Sequence, residues 1–206
     1  MKQELKYLPM LVRTALIWGA AFVAQSVGNE YVGPFTFNSV RSLLGGAVLL
    51  PLIPLLGRLS GNRREGDAPS DQKNLWVGGV LCGVILGLAS SLQQWALQYA
   101  GVGKAGFITA LYIVIVPVLG VALAGLYLLC WSGGSALGPG EWLLFGCSAL
   151  FSIHILVIDH FSPLVDGVKL SCVQFFVAGV FCAVPSLLFE APTLAGVLAA
   201  GWPFVY

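Results

Sequence analysis

The sequence predicts an all-α protein, a polytopic bundle of transmembrane helices. Two observations carry this. Hydrophobic residues make up 58% of the chain and charged residues 9%, where a soluble domain carries about 25% charged residues. So few charges cannot cover a water-soluble fold, and lipid must be the solvent for most of the surface. The apolar residues also fall into runs close to the length that carries a helix across the hydrocarbon core, about 20 residues at about 1.5 Å each.

The first span is expected from Pro9 to Val27. Thr14–Ala24 resembles a secretory leader, but Arg13 interrupts that pattern and further apolar spans follow, so it is read as a retained helix. A short loop, Gly28–Pro34, leads to a second span from Phe35 to Leu56 that contains one charge, Arg41. Gly57–Asn74 is the long hydrophilic segment, with Arg58, Arg63, Arg64 and Lys73. The third span runs from Leu75 to Tyr99. Lys2, Lys6 and Arg13 sit at the N terminus and four basic residues follow span two, while the loop between the two spans has none. The positive-inside rule then places the N terminus in the cytoplasm.

Ala105–Gly140 contains no charged residue. It is too long for one crossing of about 20 residues and too short for two with a turn, about 45. Either one long helix kinked at Pro117, or two spans with their hairpin removed near Gly120, fits it. Trp142–Ile158 and Leu170–Phe189 are two further spans, separated by the polar loop Asp159–Lys169. Ala191–Tyr206 reads as a crossing cut short. The expectation is about six complete spans and a partial one.

The chain matches itself at a constant offset. Ala15-Leu16 falls on Ala149-Leu150, Val23 on Val157, Gly33 on Gly167, Gly45 on Gly179 and Pro51 on Pro185. Each copy is a span, a short loop and a span. Paired helical repeats build many secondary transporters, with the binding site between the halves.

Ile17-Trp18-Gly19, Phe37-Asn38-Ser39-Val40-Arg41, the run Gly103–Gly120, Leu123–Cys130 and Gln174–Val180 together resemble the EamA-like permeases of the drug/metabolite transporter superfamily. The resemblance covers nearly the whole chain. It implies a ten-helix inverted-repeat fold that moves small metabolites, amino-acid-like or drug-like, by alternating access and without ATP. Residues 1–130 would be the first repeat, shortened near Gly120, and 141–206 the start of the second, with the last three helices absent. A non-transporting truncated fragment is the alternative, and an intramembrane enzyme the least supported reading. The resemblance places the chain in a cell inner membrane, with a small-molecule substrate and the bilayer as partners and a homo-oligomer left open.

Net charge is +1 and no long basic run is present, so no nucleic-acid partner is expected. The five cysteines, Cys82, Cys130, Cys147, Cys172 and Cys182, lie in or at the end of apolar runs without metal-ligand spacing, so neither a metal site nor a disulfide framework is expected. No catalytic constellation, phosphate loop or cofactor motif is visible.

Function would rest on polar residues inside apolar spans. Asn38, Arg41 and Gly45 fall on one helical stripe. Arg41 either anchors an anion in a central cavity or snorkels to the outer interface, because a charge at membrane depth costs at least ~2.5 kcal/mol. Ser91, Gln94 and Gln98 share a face that either lines a cavity or bonds between helices. Gly79, Gly83 and Gly87 make two GxxxG steps suited to close helix packing. Trp18, Phe22 and Gln25 share a face of span one, and Thr109 and Tyr112 one face at the start of the uncharged run Ala105–Gly140. Each face lines either a substrate cavity or a packing surface. The resemblance adds weight to Trp18. His154 is either a proton relay or a structural hydrogen-bonding group. Ser171 and Gln174 are candidates for the cavity wall in the second half.

Overall fold

A computed structural model of the chain describes residues 4–59, 71–110 and 138–204. Tyr112, Cys130 and the region around Gly120 lie outside the described residues. Where described, the chain is helical, as a lipid-facing chain must be to satisfy its own backbone groups.

Helix α1 spans Glu4–Gly28 and α2 spans Pro34–Leu59. Proline at the first position of α2 costs no hydrogen bond, since that N–H has no partner within the helix. Helix α3, Gln72–Ala96, starts at Asp71, whose carboxylate accepts from Lys73 N. Helix α4 is Val102–Ala110. Helix α5, Pro139–Phe161, opens with Glu141 accepting from Gly138 N at 3.1 Å and ion-paired at 3.1 Å with Lys104 of α4. Helix α6, Gly167–Pro185, is capped by Asp166, which accepts from Val168 N and Lys169 N. One wide π turn, Ser186–Glu190, extends α6, and Ala191 then takes a left-handed backbone with φ 42°.

Four stretches of the described residues are long and apolar enough to cross a membrane: Pro34–Leu55, Gln72–Ala96, Pro139–Phe161 and Gly167–Glu190. They correspond to the second and third expected spans and the two after the uncharged region. Large apolar side chains on these helices, among them Leu50, Trp76, Ile153 and Val184, face outward. That is the surface lipid wets.

Residues 191–204 do not continue as a crossing. They form α7, Leu194–Ala199, and a 3-10 turn, Trp202–Phe204. Left-handed Ala191 breaks the helix, and Pro192 and Pro203 supply no backbone donor. The segment turns back on α1 and α2. Phe204 stacks on buried Phe37 at 5.2 Å between ring centroids, with Ala200 buried beside them.

Helix α3 is the centre of the bundle, packed on both α5 and α6. Its glycine ladder meets α6 rung by rung: Gly79 faces Val173, Gly83 faces Val177 and Gly87 faces Phe181. The two helices therefore run parallel. A Cβ on Gly83 would lie 2.7 Å from the carbonyl oxygen of Gln174, so only glycine allows this approach. Against α5 the direction reverses, with Gly78 at Phe161 and Gly140 at Ala100. Helices α2 and α6 are also antiparallel. Ser39 Oγ donates to Gly179 O at 2.9 Å at one end, and Cys172 Sγ lies 3.7 Å from Gly46 O at the other. The second helices of the two similar sequence segments thus lie side by side in opposite directions.

Candidate functional site

The stripe of α2 that carries Asn38, Arg41 and Gly45 opens on a cavity of about 680 Å3, within the range of small-molecule sites, roughly 300–1,000 Å3. Helix α1 contributes Trp18 and Gln25 to its wall. Helix α2 contributes Asn38, Arg41, Ser42, Gly45 and the apolar residues below them. Helix α3 contributes Leu86, Ser90 and Gln93. Phe151 of α5, Phe175 of α6 and Phe204 of the 3-10 turn complete it. The expected stripe Asn38–Arg41–Gly45 is thus one wall of the cavity, because residues three and four apart share a helix face.

Two polar groups in this wall stand out. Arg41 is the one charged residue among the described residues that line the cavity. One turn away, Asn38 is 5% exposed, and its Nδ2 has no hydrogen-bond partner. A buried amide donor left without a partner costs about 1–3 kcal/mol, which a bound acceptor recovers. Around them stand four aromatic rings and the neutral polar groups of Gln25, Ser42, Ser90 and Gln93. The arrangement can hold a small molecule with an acceptor-rich, negatively charged end and an apolar body.

The other sequence candidates lie elsewhere. Gln94 is fully buried and turned to α1: its Nε2 donates to Gln25 O and Asn29 Oδ1, each at 2.8 Å. Gln98 is exposed near the end of the helix. Ser91 bonds Cys182 Sγ of α6 at 3.5 Å. The polar face of α3 that reaches the cavity is instead Ser90 and Gln93, and Gln93 Nε2 also donates to Thr109 Oγ1 of α4 at 3.1 Å. His154 of α5 and Gln174 of α6 are brought together behind the cavity, His154 Nε2 lying 3.2 Å from Gln174 Oε1. The His154 ring also meets the edge of Phe151, which lines the cavity. Ser42, Ser90, Gln93, Phe151, Phe175 and Phe204 were not singled out by the sequence. For Ser90 and Gln93 a signal was present, since the doublets Ser90-Ser91 and Gln93-Gln94 offer two helical faces with the same spacing. Cys82, Cys147, Cys172 and Cys182 are buried and free. No cluster of metal-binding side chains occurs among the described residues.

The sequence pattern of the EamA-like transporter family matches residues 5–132. An uncharacterized transporter of Archaeoglobus fulgidus is 30% identical over 183 residues, covering 81% of this chain and 53% of the relative. The chain thus spans about half the length of the curated relative it matches. No solved structure matches it.

Proposed function

We propose, from the premise that this chain belongs to the EamA-like transporter family, that it moves a small organic anion, a carboxylate with an apolar body, across the membrane. Membership of that family supports a role as a membrane transporter. The single observation that carries the finer reading is the pairing, one turn apart on α2, of Arg41 with the unpartnered Nδ2 of buried Asn38 in the cavity wall.

Arg41 presents a planar fork of donors that fits a carboxylate, and Asn38 adds a neutral donor beside it. Trp18, Phe151, Phe175 and Phe204 supply apolar area for the rest of the molecule. In this reading the substrate binds between the helices of the first segment, α1–α4, and those of the second, α5 and α6. Rocking of the two groups exposes it to either side in turn. No nucleotide is consumed. The N terminus is cytoplasmic, the α1–α2 loop external, and the membrane a cell inner membrane.

The test is counterflow in proteoliposomes with a panel of radiolabelled amino acids, small carboxylates and neutral analogues. Carboxylate exchange that collapses in Arg41→Gln is the expected result. Exchange of no compound, or exchange indifferent to Arg41→Gln, would overturn the reading.

A further inference from the structure

The N termini of α2 and α6, the second helices of the two similar segments, are satisfied in different ways. Helix α6 is capped locally, by Asp166 immediately before it, which accepts from Val168 N and Lys169 N at 2.9 and 3.0 Å. Helix α2 has Val32 and Gly33 in that place and no local side-chain cap. Its first amides are satisfied from the other segment. Glu190 accepts from Phe35 N at 2.9 Å, from Thr36 N at 2.7 Å and from Thr36 Oγ1 at 2.6 Å. Thr36 Oγ1 also lies 2.7 Å from Ser186 Oγ.

Three further features concentrate on this carboxylate. The π turn Ser186–Glu190 widens the end of α6, and such turns cluster at functional positions. Ala191, the next residue, holds a left-handed backbone that costs a non-glycine residue on the order of 1 kcal/mol, kept only where its surroundings enforce it. Gly33 lies so close to the Glu190 carboxylate that a Cβ there would overlap it. A local cap travels with its own helix. A cap supplied by the opposing segment is made when the two come together and lost when they part.

We propose that Glu190 is the latch of a gate at the end of the bundle that carries the α1–α2 loop: it holds the α2 N terminus against the end of α6 while the cavity is closed on that side, and releases it when that side opens. The inference rests on the alternating-access reading above but not on the identity of the substrate. The latch is charge-assisted and sits on the positive end of a helix dipole, so neutralising it favours the opened form by about tenfold.

The test uses sided thiol labelling. Ser42→Cys places a thiol in the cavity wall, and an impermeant maleimide is added to right-side-out or inside-out vesicles, with the chain lacking Ser42→Cys as the background. Adding Glu190→Gln is expected to speed labelling about tenfold from the side of the α1–α2 loop and to slow it from the opposite side. Gly33→Ala, which displaces the carboxylate without altering its charge, is expected to act in the same direction. Asp166→Asn, at the local cap of α6, is expected to leave the sidedness as it is. Faster labelling from both faces would mean general loosening and overturn the latch, as would unchanged rates. If Glu190→Gln does not accumulate in the membrane, Gly33→Ala decides between the same outcomes. Labelling needs no substrate, so sided changes without flux would sustain the latch while overturning the carboxylate reading.

Discussion

Asn29 and Gln94 hold each other twice. Asn29 Nδ2 donates to the backbone oxygen of Gln94 at 3.0 Å, and Gln94 Nε2 donates back to Asn29 Oδ1 at 2.8 Å. This joins the end of α1 to α3 next to the wall of the cavity, where Gln25 offers its own carbonyl to the same Gln94 amide. Gln94→Leu is expected to lower stability by about 1–2 kcal/mol, two interhelical bonds of modest individual strength. A double-mutant cycle with Asn29→Ala, followed by unfolding in detergent, should return a coupling of about 0.6–1.7 kcal/mol. A coupling near zero would mean that the pair is incidental.

Arg41 and its neighbour Asn38 define a second expectation. Arg41→Gln should weaken carboxylate binding by at least about tenfold, because charge-assisted bonds contribute about 1.5–3 kcal/mol. Arg41→Lys should retain part of it, keeping the charge and losing the fork. Neutral analogues should bind both variants alike. Isothermal titration of the purified protein separates the cases, and equal losses for charged and neutral ligands would point to a damaged fold.

The glycine ladder of α3 gives a contrast within one residue type. Gly83→Ala places a methyl 2.6 Å from the Val177 Cβ and 2.7 Å from a backbone oxygen, so α3 and α6 must separate. The expected cost is about 1–3 kcal/mol, the usual range for overpacking. Gly19 has nothing within 4 Å of the same position. Gly19→Ala should be neutral or stabilise by up to about 1 kcal/mol through helix propensity. Paired melting curves in one detergent check both.

His154 and Gln174 form a buried cross-link between α5 and α6. Gln174→Leu strands the imidazole and should cost about 1–3 kcal/mol. The double substitution His154→Phe with Gln174→Leu should cost less than the two single changes combined, since both partners leave together. Additive losses measured by denaturant unfolding would argue that the pair is not coupled.

The helices were legible because lipid imposes a length and forbids polar interruptions. Residues Phe35–Leu56 were expected for the second span and α2 covers Pro34–Leu59. Leu75–Tyr99 was expected for the third and α3 covers Gln72–Ala96. The orientation of each helix about its axis was less legible. Ser91 and Gln94 share one face and Ser90 and Gln93 another, about 100° apart, and the doublets fit both. Only the neighbours decide, and they are set by the glycine ladder and by the pairing of α1 with α3. Trp18 and Arg41 lay on faces that the structure turns to the cavity. Glu190 was invisible as a cap because its partners lie 154 and 155 residues away and a carboxylate near a span end is ordinarily a solvated one. His154 read as a lone residue because its partner, Gln174, sits on the next helix, 20 residues further on. Residues 191–204 read as a spanning run because composition records apolarity, while the break is set by the backbone at Ala191 and the prolines that follow it.

The dependence of α2 on Glu190 also has a meaning for biosynthesis. A ribosome adding about 5–20 residues per second reaches Glu190 on the order of ten seconds after it has made Thr36, 154 residues earlier. Through that interval the start of α2 has only water and lipid headgroups for partners, while α6 enters the membrane with its own Asp166 cap already in place. The first hairpin is therefore delivered to the bilayer unfinished, and the late-made end of α6 is what completes it.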